Sequence, residues 1–232
     1  MGLKLVAFDA DDTLWHNERL FTDVQARFRE LLSRHTAPEI IEQRLYDTEV
    51  SNLRHYGYGV KAFTLSMIEA AVDLTDGRVT GEQIAQIVRM GREMLLAPVD
   101  LLDGVREVVE EVAARYDLMV LTKGDLIDQE SKLARSGLGD FFSHVLIVSR
   151  EDRAKYEQVL ADHGLAAGEF TMVGNSLKSD IIPVAEMGAH AIHVPYETTW
   201  QHEEVAEDDL AALRYHTVED ICSVPEVLAA LA

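Results

Sequence analysis

Asp9 and Asp11 stand two apart in Leu5-Val6-Ala7-Phe8-Asp9-Ala10-Asp11-Asp12-Thr13-Leu14, directly after an apolar run that reads as a buried strand. Side chains two apart on an extended segment point the same way, so these two acids form a pair and Asp12 falls out of phase. A strand interior tolerates an ionised Asp poorly unless the charge is paired, hydrogen-bonded or metal-bound. The pair is therefore expected at the C-terminal mouth of the strand, where carboxylates can bind metal or enter chemistry. The plainer alternative is an acidic turn that closes a strand.

Three later runs have the same form. Leu118-Met119-Val120-Leu121 ends in Thr122, Val145-Leu146-Ile147-Val148 ends in Ser149-Arg150, and Phe170-Thr171-Met172-Val173-Gly174 ends in Asn175, with Asp180 five residues on. From Pro98 onward such runs alternate with helical patterns near 104–115, 125–136, 152–163 and 178–187. That alternation predicts an α/β fold with a doubly wound parallel sheet, in which ligands bind at the carboxyl ends of strands. Between residues 17 and 97 apolar residues recur instead at helical spacing, among them Leu20, Val24, Phe28, Phe63, Met67, Ile84, Ile87 and Met94. This helical insert is broken at Thr36-Ala37-Pro38, at Tyr56-Gly57-Tyr58-Gly59 and at Asp76-Gly77, and Thr80 and Gln83 are spaced as a capping box.

An Asp-x-Asp pair, a Thr, a basic residue and a final acidic motif, each at a strand end and in that order, resemble the haloacid dehalogenase-like hydrolase superfamily. The resemblance covers about residues 1–16 and 97–232. Its specific parts are the first motif and the segment from Gly174 to Asp180. It implies a Rossmann-like catalytic core with residues 17–96 as an inserted helical cap domain, hinged near Trp15 to Asn17 and near Ala97 to Asp100, which closes to exclude water. It further implies a Mg2+-dependent hydrolase that removes phosphate from a small phosphorylated metabolite. Asp9 would be the nucleophile, forming an aspartyl-phosphate, and Asp11 would serve alternately as general acid and base. The metal would be held by Asp9, the backbone carbonyl of Asp11 and Asp180. Asn175 stands where most relatives carry Asp, and offers the metal a carbonyl oxygen without charge.

Around the phosphate, Thr122 is expected to hydrogen-bond a phosphoryl oxygen, with Lys123 and Gly124 beside it. The third motif departs from the family pattern: the segment reads Ser149-Arg150-Glu151-Asp152-Arg153-Ala154-Lys155-Tyr156. Arg150, at the strand end, takes the place of the usual lysine and is the favoured cation beside Asp9; Lys155, within the following helix, is the other candidate. His16 and Lys61 are candidate substrate contacts. As the insert's one lysine, Lys61 also keeps a Schiff-base phosphonate hydrolase in view.

Asp11 separates phosphatase from dehalogenase chemistry, because halide needs neither proton nor magnesium on leaving. A non-catalytic binding or regulatory protein on the same fold is the alternative from another class, motivated by Asn175 and the irregular third motif. The formal net charge of −20 argues against nucleic acid and anionic membranes as partners. The acidic stretch Glu203-Glu204-Val205-Ala206-Glu207-Asp208-Asp209 is expected to be a solvated face. With one cysteine, Cys222, no intrachain disulfide forms and a cytoplasmic setting is natural; that thiol is expected to be buried. No leader or membrane span is expected, and oligomeric state is not legible.

Overall fold

The computed structural model describes residues 2–231. The chain divides into two compact units. One comprises Met1–Glu18, Val99–Lys123 and Gln129–Ala232, and the other comprises Arg19–Pro98 with Gly124–Asp128.

The first unit is a parallel six-stranded sheet, with strands β1 (Leu5–Phe8), β2 (Asp117–Lys123), β3 (His144–Val148), β4 (Phe170–Gly174), β5 (His190–His193) and β6 (His216–Thr217). Their spatial order is β3-β2-β1-β4-β5-β6, and each neighbouring pair is parallel. β1 is central: Phe8 lies opposite Val120 of β2 on one side and Val173 of β4 on the other. A central parallel strand buries both faces, which is why it is apolar at every position. Alternate residues then feed two layers. Val6, Phe8, Leu118, Val120, Val173 and Ile192 form one apolar cluster, and Leu5, Ala7, Met119, Leu121, Phe170 and Met172 form the other. These two short strands at the β5–β6 edge were not evident in the sequence pattern.

Four helices, α1 (Glu18–Leu32), α2 (Pro38–Tyr56), α3 (Val60–Leu74) and α4 (Gly81–Leu96), run through the segment between β1 and β2. Pro38 opens α2, where its missing N–H costs no hydrogen bond. The N-terminus of α4 carries the reciprocal box: Gln83 N–H donates to Thr80 Oγ1 (3.2 Å), and Thr80 N–H donates to Gln83 Oε1 (2.9 Å). Val24, Phe28, Ile41, Phe63, Met67, Ile87 and Met94 share one apolar core. Gly124–Asp128 joins this unit through an ion pair between Lys61 Nζ and Asp125 Oδ1 (2.8 Å).

The crossover helices are α5 (Val105–Ala113), α6 (Leu126–Ser136), α7 (Arg153–His163) and α8 (Ile182–Glu186), followed by α9 (Glu207–Leu210) and α10 (Val224–Leu231). α5 and α10 cover the first apolar layer, and α7 and α8 cover the second. Cys222 is exposed rather than buried, because it lies in a one-turn 3-10 helix (Ile221–Ser223) that turns Ile221 inward in its place. No helix among the described residues is long and apolar enough to cross a membrane.

Candidate active site

The strand order reverses at β1 and β4, and their carboxyl ends flank the crevice in which ligands of open α/β sheets bind. Asp9 follows β1 directly, its N–H donating to the carbonyl of Val173 (2.9 Å). Asp180 arrives from the other strand. After Gly174 the chain makes a turn of π-helix (Leu177–Ile181) that leads into α8, and Ser176 N–H donates to Asp180 Oδ2 (2.9 Å). A Cβ on Gly174 would lie 2.2 Å from that oxygen, so glycine is required for the carboxylate to pack against the strand end.

Asp9, Asp180 and Glu151 are buried, and each brings a carboxylate oxygen to within 4.8 Å of the other two. At that separation each ionised pair repels by about 3 kcal/mol at an effective dielectric of 20. Burial, then the charges of Asp180, Glu151 and Asp11, hold the Asp9 carboxyl well above the usual carboxylate range. Burial does the same to Asp180, with Glu151 adding to it, and pushes Glu151 up to about 7. Asp180 Oδ1 and Glu151 Oε1 are buried without a hydrogen-bond partner. Hard oxygen donors, crowded together and two of them unsatisfied, suit a divalent cation such as Mg2+.

The cation that faces this cluster is Lys123. Its Nζ lies 2.6 Å from Ser179 Oγ, 3.1 Å from Glu203 Oε2 and 3.4 Å from Glu151 Oε2. Burial works against its charge, but Glu151, Glu203, Asp180 and Asp9 outweigh that and hold the ammonium protonated. Arg150 and Lys155, the two cations expected in this place, lie elsewhere. Strand β3 stops at Val148; Ser149 and Arg150 are exposed, and the turn brings Glu151 inward instead. Arg150 makes no ion pair among the described residues. Asp152 then caps α7 by accepting from Lys155 N–H (3.0 Å), and Lys155 Nζ donates to Gln158 on the same helix (2.8 Å).

Asp11 stands apart from the acid cluster. Its carboxylate accepts from Trp15 Nε1 (2.7 Å), Gln129 Nε2 (2.9 Å) and Lys132 Nζ (2.9 Å). Lys132 also donates to Asn17 Oδ1 (2.9 Å). Asp12, with φ at 63°, turns away and accepts from the N–H groups of Asn17 (2.8 Å) and Glu18 (3.1 Å) at the start of α1. Asn175 turns its side chain to Thr13. Its Oδ1 lies 3.2 Å from Thr13 Oγ1, its N–H donates to that hydroxyl (3.1 Å), and the same hydroxyl lies 3.4 Å from Asp9 Oδ2. Thr13 thus ties the two strand ends together.

Thr122, buried at the end of β2, has a hydroxyl contact of 3.5 Å to the Lys123 carbonyl, which is long for a hydrogen bond. His16 Nδ1 is 2.7 Å from the Tyr196 hydroxyl. Gly124 has φ at 143° and belongs, with Lys61, to the helical unit, where the Lys61 ammonium is bonded to Asp125.

Glu151, Thr13, Lys132 and Glu203 were not identified from sequence. Glu203, in a 3-10 turn (Gln201–Glu203), is buried and accepts from Ser176 Oγ (2.6 Å) and Ser179 Oγ (2.7 Å). Its burial departs from the solvated face expected of its acidic stretch. The only available hint is Trp200 three residues earlier, an aromatic that interrupts an otherwise polar segment.

The family model described as haloacid dehalogenase-like hydrolase matches residues 3–188. A crystal structure of a haloacid dehalogenase-like family hydrolase from Xanthomonas campestris is similar with a TM-score of 0.88 and 39% identity, covering 99% of this chain and 92% of that one. Glyceraldehyde 3-phosphate phosphatase of Pyrococcus furiosus is 25% identical over 235 residues, covering 97% of this chain and 93% of its own. A 2-haloacid dehalogenase from Pseudomonas syringae has a TM-score of 0.64 at 22% identity, over 99% of this chain and all of its own, a likeness of fold.

Proposed function

The chain belongs to the haloacid dehalogenase-like hydrolases, and from that premise we propose that it is a magnesium-dependent phosphatase of a small phosphorylated metabolite, working through an aspartyl-phosphate. The observation that carries this reading is the division of labour between two carboxylates at the mouth of β1. Asp9 lies in the acid cluster with Lys123 nearby, whereas Asp11 stands outside it, held by Gln129, Lys132 and Trp15. A halide leaving group has no use for that second acid; an alkoxide does.

In this reading Asp9 attacks phosphorus, and the bond to the leaving oxygen breaks as that oxygen takes a proton from Asp11. Asp11, now a carboxylate, removes a proton from the water that hydrolyses the acyl phosphate and restores Asp9. Thr122 donates to a phosphoryl oxygen and the Lys123 ammonium offsets its charge. Asp9 and Asp180 would hold the cation, which when bound neutralises phosphoryl charge. The helical unit would serve as the cap that selects the substrate.

Two measurements test this. With an aryl phosphate and a phosphometabolite panel that includes glyceraldehyde 3-phosphate, turnover should require Mg2+ and stop in chelator. A folded, metal-binding protein that turns over none of them would be a binding module instead. Asp11→Asn should slow alkyl phosphates by about a hundredfold or more and aryl phosphates much less, since an activated leaving group needs little protonation. Equal losses on both classes would remove Asp11 from the general-acid role.

A further inference from the structure

We propose that Glu151 is a direct ligand of the active-site cation, completing with Asp9 and Asp180 a three-carboxylate site. The inference rests on the magnesium-dependent reading above and extends it to a residue in the loop after β3.

Three observations carry it. The carboxylates of Asp9, Glu151 and Asp180 converge, with one oxygen of each within 4.8 Å of the others, a spacing that a single cation can bridge. Glu151 is 8% exposed and uses its two oxygens differently: Oε2 faces Lys123 at 3.4 Å, and Oε1 is buried without a hydrogen-bond partner. Asp180 repeats the division, with Oδ2 accepting from Ser176 N–H and Oδ1 unsatisfied. Buried polar atoms are ordinarily paired, so two unsatisfied oxygens in one triangle of acids mark the place of a missing positive partner.

Lys123 alone does not fill that need. Its ammonium faces Glu151, Glu203, Asp180 and Asp9, and its shortest contact is to the neutral hydroxyl of Ser179. Glu203 accepts on Oε2 from Ser176 and Ser179, beside Lys123, and its Oε1 is also buried without a hydrogen-bond partner, but it lies outside the triangle. Asn175, whose Oδ1 is turned to Thr13, adds no charge. Glu151 is the carboxylate left to complete the set.

The test is direct titration of the full-length protein with Mn2+, following the loss of the free-ion electron paramagnetic resonance signal, for wild type, Asp180→Asn, Glu151→Gln and Glu151→Ala. Loss of a partner in the shell outside the ligands already weakens metal binding by about 10–100-fold, so removing a ligand should raise the Glu151→Gln dissociation constant by at least about tenfold. Asp180→Asn should weaken binding as well. Glu151→Ala carries the same expectation as Glu151→Gln, so the test stands if one variant is unstable by circular dichroism. Wild-type affinity in the folded Glu151 variants, with binding lost in Asp180→Asn, would overturn Glu151 as a ligand while leaving the magnesium-dependent reading intact. No Mn2+ binding by wild type would overturn both.

Discussion

Asp9→Asn is expected to reduce turnover by a factor on the order of 10^4 or more, because an amide of nearly the same shape is a very poor nucleophile. The same change should leave the melting temperature equal to or above that of wild type. Burial and the neighbouring Asp180 and Glu151 disfavour the charged form of Asp9, so a neutral group relieves repulsion without opening a cavity. The paired result, catalysis collapsing while stability holds, is that of a residue kept for chemistry rather than for packing. Activity comparable to wild type, measured as initial rate per folded protein, would eliminate the covalent route through this residue.

Lys123→Met should lower turnover by roughly 10^2–10^3, the scale seen when one preorganised group facing a developing anion is removed. It should also destabilise the fold by about 3–5 kcal/mol, since buried acids lose their partner. Lys123→Arg, which keeps the charge, separates the two effects. Arg150→Ala and Lys155→Ala, each removing an ammonium or guanidinium that does not reach the cluster, should stay within about twofold of wild type on the same substrate. A large loss confined to Arg150→Ala would return the third-motif role to the strand end and leave Lys123 as a structural residue.

The sheet and the first motif are legible in the sequence for one physical reason. A parallel strand buried on both faces is almost continuously apolar, so the polar residue that closes each run marks its carboxyl end, and Asp9, Thr122 and Asn175 are found at those ends. The loop after β3 is not legible in that way. Beyond Val148 no periodicity constrains which side chain turns inward, and a shift of one position replaces Arg150 by Glu151, reversing the sign of the charge. Lys123 was visible by type, but a loop lysine is ordinarily solvated, and what retains this one is the convergence of acids from positions 9, 151, 180 and 203. Glu203 shows the same limit, since an acidic run carries no mark of the single member that meets Ser176 and Ser179.

The central place of β1 also governs how the molecule comes into being during synthesis. Its neighbours are residues 117–120 and 170–173, so β1 leaves the ribosome about 110 residues ahead of its first partner and about 165 residues ahead of its second. At 5–20 residues per second the longer interval is on the order of ten to thirty seconds. The four-helix segment Arg19–Pro98 is contiguous and is complete well before β4 is made. The nascent polypeptide therefore carries an apolar β1, an aggregation liability for as long as it lacks partners, ahead of a segment that is already whole. The acids at its tip meet Asp180 only after β4 has been made.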